Sequence, residues 1–376
     1  MVKQVKWFED FAEKVPPRWK VQREWRRLKS QSTRGIRNLY EPFVQRYHDA
    51  NFAQRVVIHP GTQGTTARVA VLLIWQHAEL PGSLKLTIEM LRQAGFCTVV
   101  VSNSPLLPET LHVLTQSTSA VLERPNFGYD FGGYRDGIRF VFEAIPTPDT
   151  LLLLNDSTWL PLRSGTSTLQ ELLRDPAPYK GLVNKQFVYK PKHRKHLESH
   201  FLMFERPVLC NAAFHEFWKN YRVSSDRYNT ILRGEYGISD AVASAGFPMT
   251  GLIDPYKFMS GIEALSPLEL RDVLANVVTV NDARKAEVSA ALQEHSNSED
   301  WRARASAMIR DQIWKEEHLV TTAYIYFGLR YLDFPYLKKR REPLISVTRM
   351  KALEMIDQGI IPPLDPDVEA EVRASI

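Results

Sequence analysis

Between residues 69 and 154 the chain alternates wholly apolar runs with amphipathic ones. Residues 69–74 (VAVLLI) contain no polar position, which predicts a strand buried on both faces. Residues 82–94 place Leu84, Ile88 and Leu91 at helical spacing, and Gly95 stands where that helix would end. Residues 97–102 (CTVVVS) predict a second strand, 108–116 a helix and 120–122 a short third strand. Residues 133–144 predict a further helix, with Tyr134, Ile138, Val141, Phe142 and Ile145 on one face. The run 150–154 (TLLLL) predicts a fourth buried strand, and further strands are expected at 181–184 and 201–204. Alternation at this spacing predicts an α/β fold with a doubly wound, mostly parallel sheet.

Outside that region the pattern changes. Residues 61–68 (GTQGTTAR) read as a polar linker. Beyond about residue 265 the strand signals stop, and 266–358 read as helices. The acidic, Pro-containing stretch 362–376 reads as a frayed tail. Three regions are therefore expected: a helical arm over 1–60, the α/β domain over 66–262 and a helical C-terminal region over 263–376. With 376 residues, 44% hydrophobic and 24% charged, the chain can bury a sizeable core. No apolar run reaches the ~18–20 residues needed to cross a bilayer. The first fifteen residues lack the continuous apolar stretch of a secretory signal. The two cysteines, Cys97 and Cys210, are too few for a disulfide framework and are expected as buried thiols. A reducing, cytoplasmic setting follows.

Net charge is +5, and its distribution matters more than its size. Residues 1–56 hold 13 Lys or Arg against 6 Asp or Glu, a net of +7, whereas the remainder is net −2. The basic segment also carries Trp7, Phe8, Phe11, Trp19 and Trp25. Aromatics interleaved with cations suit an anionic membrane surface. An arm that packs its aromatics on the main domain is the plainer reading. Nucleic acid is not expected as a partner, because the main domain is slightly acidic.

The densest candidate chemistry lies at 124–162. Asn126, Gly128, Asp130, Gly132, Gly133, Arg135, Asp136 and Gly137 fall within twelve residues, between a strand and a helix. In a doubly wound sheet that is the edge where ligands bind. Glycines admit close backbone approach, a helix start favours phosphate, and Arg135 suits phosphate oxygens. The four-leucine strand then ends in Asn155, Asp156 and Ser157. A carboxylate at a strand end is placed to hold a divalent cation that neutralises a diphosphate. The basic run Lys190, Lys192, His193, Arg194, Lys195 and His196 and the run 338–341 suit an anionic ligand or a solvated surface.

These motifs resemble the rhamnan synthesis protein F family of bacterial polysaccharide glycosyltransferases. The likeness rests on the Asn126-Gly128-Asp130-Gly132-Gly137 run and on the strand ending in Asn155-Asp156-Ser157. It extends to His196, Ser199, Phe201 and Phe204, to residues 214–221, and loosely to FPYLKKR at 334–340. More distantly, the layout is similar to inverting sugar-nucleotide transferases with the GT-A fold. The resemblance implies a GT-A-like domain that takes a nucleoside diphosphate sugar, with deoxythymidine diphosphate rhamnose as donor. The acceptor would be lipid-linked or polysaccharide. Asn126, Gly128, Asp130, Gly132, Gly133, Arg135, Asn155, Asp156, Ser157 and His200 would bind the donor. Asp156 and Asp130 would hold Mg²⁺ or Mn²⁺, although the Asp-x-Asp frame of those more distant transferases here reads Asn155-Asp156-Ser157. Distant relatives carry a Glu-Asp pair about eleven residues before a Gly. Glu235 stands eleven before Gly246 and is the first choice for general base, with Asp240 second. The enzyme would sit in the cytoplasm, peripheral to the inner membrane face. A non-catalytic scaffold that binds glycan or sugar nucleotide is the rival reading.

Overall fold

The computed structural model describes residues 18–189, 192–294 and 298–376. The apolar runs form the centre of one sheet. Its strands are β1 (Val57–Pro60), β2 (Arg68–Ile74), β3 (Phe96–Ser102), β4 (Ala120–Glu123), β5 (Thr150–Asn155), β7 (Tyr179–Tyr189), β8 (Lys192–Leu197), β9 (Phe201–Glu205) and β10 (Met249–Ile253). The order is β1-β4-β3-β2-β5-β9-β7-β10, with β8 paired to β7. β4, β3, β2 and β5 run parallel, as do β7 and β10. β9 enters antiparallel between β5 and β7, and β1 closes the far edge antiparallel to β4. Two-residue strands β6 (Thr158–Trp159) and β11 (Leu337–Lys338) form a separate antiparallel pair. The mostly parallel α/β sheet expected from the pattern is present.

Helices cover both faces, which is why the central strands needed no polar side. On β2, Val69, Val71 and Leu73 point to one core. Ala70, Leu72 and Ile74 point to the other. The N-terminal helix is α1 (Arg18–Ala50). α2 (Gly82–Gln93) and α3 (Pro108–Ser117) connect β2 to β3 and β3 to β4. α4 (Tyr129–Ala144) packs Phe131, Tyr134, Ile138 and Val141 against Val71 and Leu73. α5 (Thr168–Arg174), α6 (Ala212–Asn220) and α7 (Tyr236–Ser244) follow. A π-helical turn, Ile231–Glu235, leads directly into α7.

The C-terminal helices are α8 (Pro255–Ala264), α9 (Pro267–Ala275), α10 (Asp282–Gln293), α11 (Glu299–Lys315), α12 (Ile325–Tyr331), α13 (Pro343–Asp357) and α14 (Pro366–Ala374). Ile309, Ile313, Tyr324, Phe327 and Leu353 share one core with Leu152, Leu154, Phe201 and Met203 of the sheet. Three local expectations need correction. Residues 366–374 are a docked helix rather than a frayed tail, because Val368 and Val372, four apart, are both fully buried. A strand does occur beyond residue 265, since Leu337 and Lys338 pair with Trp159 and Thr158. Cys97 is buried as expected, but Cys210 is exposed at the end of a short helical turn. Trp7, Phe8, Phe11 and Lys190 lie outside the described residues.

Candidate active site

The parallel strands β2 and β5 end side by side, and the chain turns there. A cavity of about 610 Å³ opens beyond that edge. Asp130, Asn155, Ser157, His200 and Glu235 all line it. These five come from the start of α4, the end of β5, the turn before β9 and the π-helical turn before α7. Asn155 is the joint between them. Its Nδ2 donates to Asp130 Oδ2 at 3.0 Å, and its Oδ1 accepts from Ser157 N at 3.1 Å and Ser157 Oγ at 2.6 Å.

Glu235 is fixed through one oxygen. Its Oε1 accepts from Ser199 N at 3.1 Å and from Ser199 Oγ at 2.5 Å. A π-helical turn inserts an extra residue into the helical repeat and re-aims side chains, which is why such turns recur at functional sites. Glu235 is the last residue of this one. Asp130 faces it across the cavity. Burial, then the negative charges of Glu235 and Asp156, push the Asp130 carboxyl up to about 6, against the pull of Arg340 and the Asn155 amide.

Asp156 sits beside this group without lining the cavity. Its Oδ2 accepts from Trp75 N at 2.9 Å and from Gln76 Nε2 at 2.6 Å, and its backbone N donates to Leu73 O. It therefore ties the ends of β2 and β5 together. Asp130 and Asp156 are the pair expected to hold Mg²⁺ or Mn²⁺. Among the described residues no group of three or more His, Cys, Asp or Glu side chains is arranged to hold a metal ion. Asp156 Oδ2 is taken by two donors and Asp130 Oδ2 by Asn155, which leaves one oxygen of each carboxylate, too few to complete a metal site from protein ligands alone.

Other expected residues are placed elsewhere. Arg135 does not reach the cavity. Its guanidinium forms a two-pronged pair with Asp49 of α1, at 2.6 and 2.9 Å, on the outer side of α4. Asp240 is exposed on α7 and outside the cavity lining. Asn126 is exposed in the loop before α4. The glycines serve packing rather than an open phosphate cradle. Gly128 takes a left-handed backbone (φ 86°) at the start of α4, and its N–H donates to Ser225 Oγ. A Cβ at Gly132 would meet the Phe127 carbonyl, and one at Gly133 would meet Leu73 of β2.

The sequence reading missed a charged cluster on the cavity's other wall. The buried Glu198 carboxylate pairs with Lys185 at 2.7 Å, Lys338 at 3.1 Å and His200 Nδ1 at 3.2 Å. Burial opposes its ionisation, but Lys185, Lys338 and His200 together hold its carboxyl well below the usual range. No local motif announces this pairing, because Glu198 and Lys338 are 140 positions apart.

Residues 98–266 match the family described as rhamnan synthesis protein F. The resemblance read from 126–157 and 196–204 thus falls within the stretch that the family matches. Among curated proteins, the chain is similar to y4gN, an uncharacterized protein of Sinorhizobium fredii. The two are 27% identical over 316 residues, covering 84% of this chain and 81% of the relative. Among solved structures, it is similar to a mannosyltransferase of Pyrobaculum calidifontis in complex with GDP-Man and Mn²⁺. That likeness has 9% identity and a TM-score of 0.32, over 93% of this chain and 96% of that one. It is also similar to a glycosyltransferase involved in glycosylation of the major capsid of PBCV-1, at 13% identity and a TM-score of 0.28, over 50% and 83%.

Proposed function

We propose that the chain transfers a sugar from a nucleoside diphosphate donor to a hydroxyl acceptor, with inversion at the anomeric carbon. The observation that carries this reading is the convergence of Asp130, Asn155 and Glu235 on one cavity at the strand ends, with Glu235 fixed through a single oxygen. Ser199 holds Oε1, so Oε2 is the oxygen assigned to the acceptor proton. The acceptor oxygen bonds to the anomeric carbon as the bond from that carbon to the diphosphate oxygen breaks. The proton passes to Glu235, and the leaving diphosphate departs on the opposite side. A base held at one end loses less freedom when it aligns.

The family resemblance supports deoxythymidine diphosphate rhamnose as donor and a growing surface polysaccharide as acceptor. The basic N-terminal segment supports a cytoplasmic enzyme held at the inner membrane face near a lipid-linked acceptor. The involvement of Asp156 in joining β2 to β5 favours one rival, a scaffold that binds the donor without turnover.

The test is titration of the full chain with a panel of nucleoside diphosphate sugars, followed by a turnover assay with the donor that binds. We expect one donor to bind, and Glu235→Gln to cut turnover by roughly 10²–10⁴-fold while leaving donor affinity within threefold. Equal turnover by Glu235→Gln and wild type would remove Glu235 as base. Binding without turnover in the wild type would establish the scaffold instead.

A further inference from the structure

The segment between Phe334 and α13 lies along the cavity as a strap. Leu337 and Lys338 pair with Trp159 and Thr158, Lys339 N donates to Ser157 O at 2.9 Å, and Leu162 N donates to Pro335 O at 3.1 Å. The strap is therefore registered on the turn that carries Asn155 and Ser157. From behind, the buried Arg349 of α13 clamps it. Arg349 Nη1 donates to the carbonyls of Lys338 at 3.2 Å and Arg340 at 2.7 Å, and Nη2 donates to Ser375 O at 3.1 Å.

Extended backbone sends successive side chains to opposite sides. Lys338 and Arg340 consequently face the cavity and line it. Lys339 turns the other way, with Nζ 3.3 Å from Ser83 Oγ and 3.9 Å from Glu371. We propose that Arg340 and Lys338 of this strap neutralise the diphosphate of the donor, so that donor binding requires no divalent cation. This rests on the transferase reading above.

Three observations converge on it. One oxygen of each carboxylate expected to hold a cation is already engaged: Asp156 Oδ2 by Trp75 and Gln76, Asp130 Oδ2 by Asn155. Positive charge is instead supplied by the chain, at a position fixed to the Asn155–Ser157 turn by backbone hydrogen bonds. The charge of Arg340 already acts on Asp130 across the cavity. A guanidinium also offers a planar fork that matches two phosphate oxygens. Lys338 enters as one of two lysines on the single carboxylate of Glu198.

The experiment is calorimetric titration of the full chain with UDP, GDP and dTDP, in EDTA and in Mn²⁺, alongside the matching nucleosides. We expect one nucleoside diphosphate to bind in EDTA within about threefold of its affinity in Mn²⁺. Arg340→Ala should weaken it at least tenfold and leave the nucleoside unaffected, and Arg340→Lys should recover part of the loss. Arg341→Ala, at the exposed neighbour, should bind as wild type. Binding seen only in Mn²⁺, or an unchanged diphosphate affinity in Arg340→Ala, would overturn the proposal and leave the transferase reading standing. No binding of any diphosphate in either condition would overturn both.

Discussion

Asp130 stands where the competing charges of the site meet. Its neighbours Glu235 and Asp156 disfavour a third negative charge, and its burial does the same, so its carboxyl is pushed up to about 6 from 3.8. A raised carboxyl pKa means that the folded chain holds the proton more tightly than the unfolded one. Stability is then lost as pH rises from about 4 through 6. Asp130→Asn keeps an oxygen for the Asn155 amide and removes the charge. We expect it to raise stability at pH 7.5 by roughly 1–3 kcal/mol and to give no gain at pH 3.5. Thermal unfolding of both proteins across pH checks this, and a gain that does not change with pH would contradict it. The candidate site residues divide by what the sequence could show. Asp130, Asn155 and Glu235 were legible because each sits at a motif or a fixed spacing. Glu198 and Lys185 were not, and Arg340 was legible only as part of a basic run, because their relation exists only after β7, the turn before β9 and the C-terminal strap meet. Arg135 had the right chemistry near the start of the right helix, but helical geometry turned it to Asp49.

The glycine-rich start of α4 shows how an element can be read correctly for the wrong reason. Its glycines do mark a close approach, but the approach is of helix to sheet. A Cβ at Gly137 would fall 2.5 Å from Val71 Cγ1 and 3.0 Å from Val101 Cγ2. Both valines are β-branched and held within parallel strands, so neither can swing aside. We expect Gly137→Ala to lower stability by about 1–3 kcal/mol in urea unfolding, with donor affinity within twofold of wild type. A loss of affinity at unchanged stability would restore the glycines to a ligand-binding role. The central strands and α2 to α4 were legible because burial on two faces or one leaves an unmistakable pattern. β1, β6, β10 and β11 are short or lie at edges, so few residues carry any periodic signal. The helix at 366–374 did carry one. Asp365 accepts from Asp367 N ahead of Pro366, and the two valines follow at helical spacing. Its acidic composition had masked that signal.

At the scale of the whole molecule, α1 is attached to the domain by its polar face. Gln45 bonds both the Tyr221 carbonyl and the Val223 amide at 2.9 Å, Glu41 accepts from Ser225 N at 2.7 Å, and Arg37 donates to Ser225 O. His48 reaches the buried Asp136, which also takes Arg124. These positions recur at i, i+4, i+8 and i+11, one side of a helix. The opposite side is apolar and faces outward: Ile36, Leu39, Tyr40, Phe43 and Tyr47 are exposed, Leu39 to 74% and Phe43 to 68%. Three turns earlier Trp25 is exposed as well. This reverses the plainer expectation for the described part of the arm, in which aromatics would pack inward. An apolar stripe within a segment of net charge +7 has the two features that a helix lying in an anionic lipid interface requires. No helix among the described residues is long and apolar enough to cross a membrane. We therefore expect the full chain to co-sediment with vesicles containing phosphatidylglycerol and to stay in solution with phosphatidylcholine alone. Replacing Leu39 and Phe43 together by Ser should weaken sedimentation at least tenfold without lowering the unfolding temperature, because neither side chain is buried in the fold. Raised salt should weaken the wild type through the cations while leaving the apolar contribution in place. If the wild type ignored both vesicles and the double variant instead changed from dimer to monomer in sedimentation velocity, the stripe would be a contact between copies of the chain. The membrane reading of the arm would then fall.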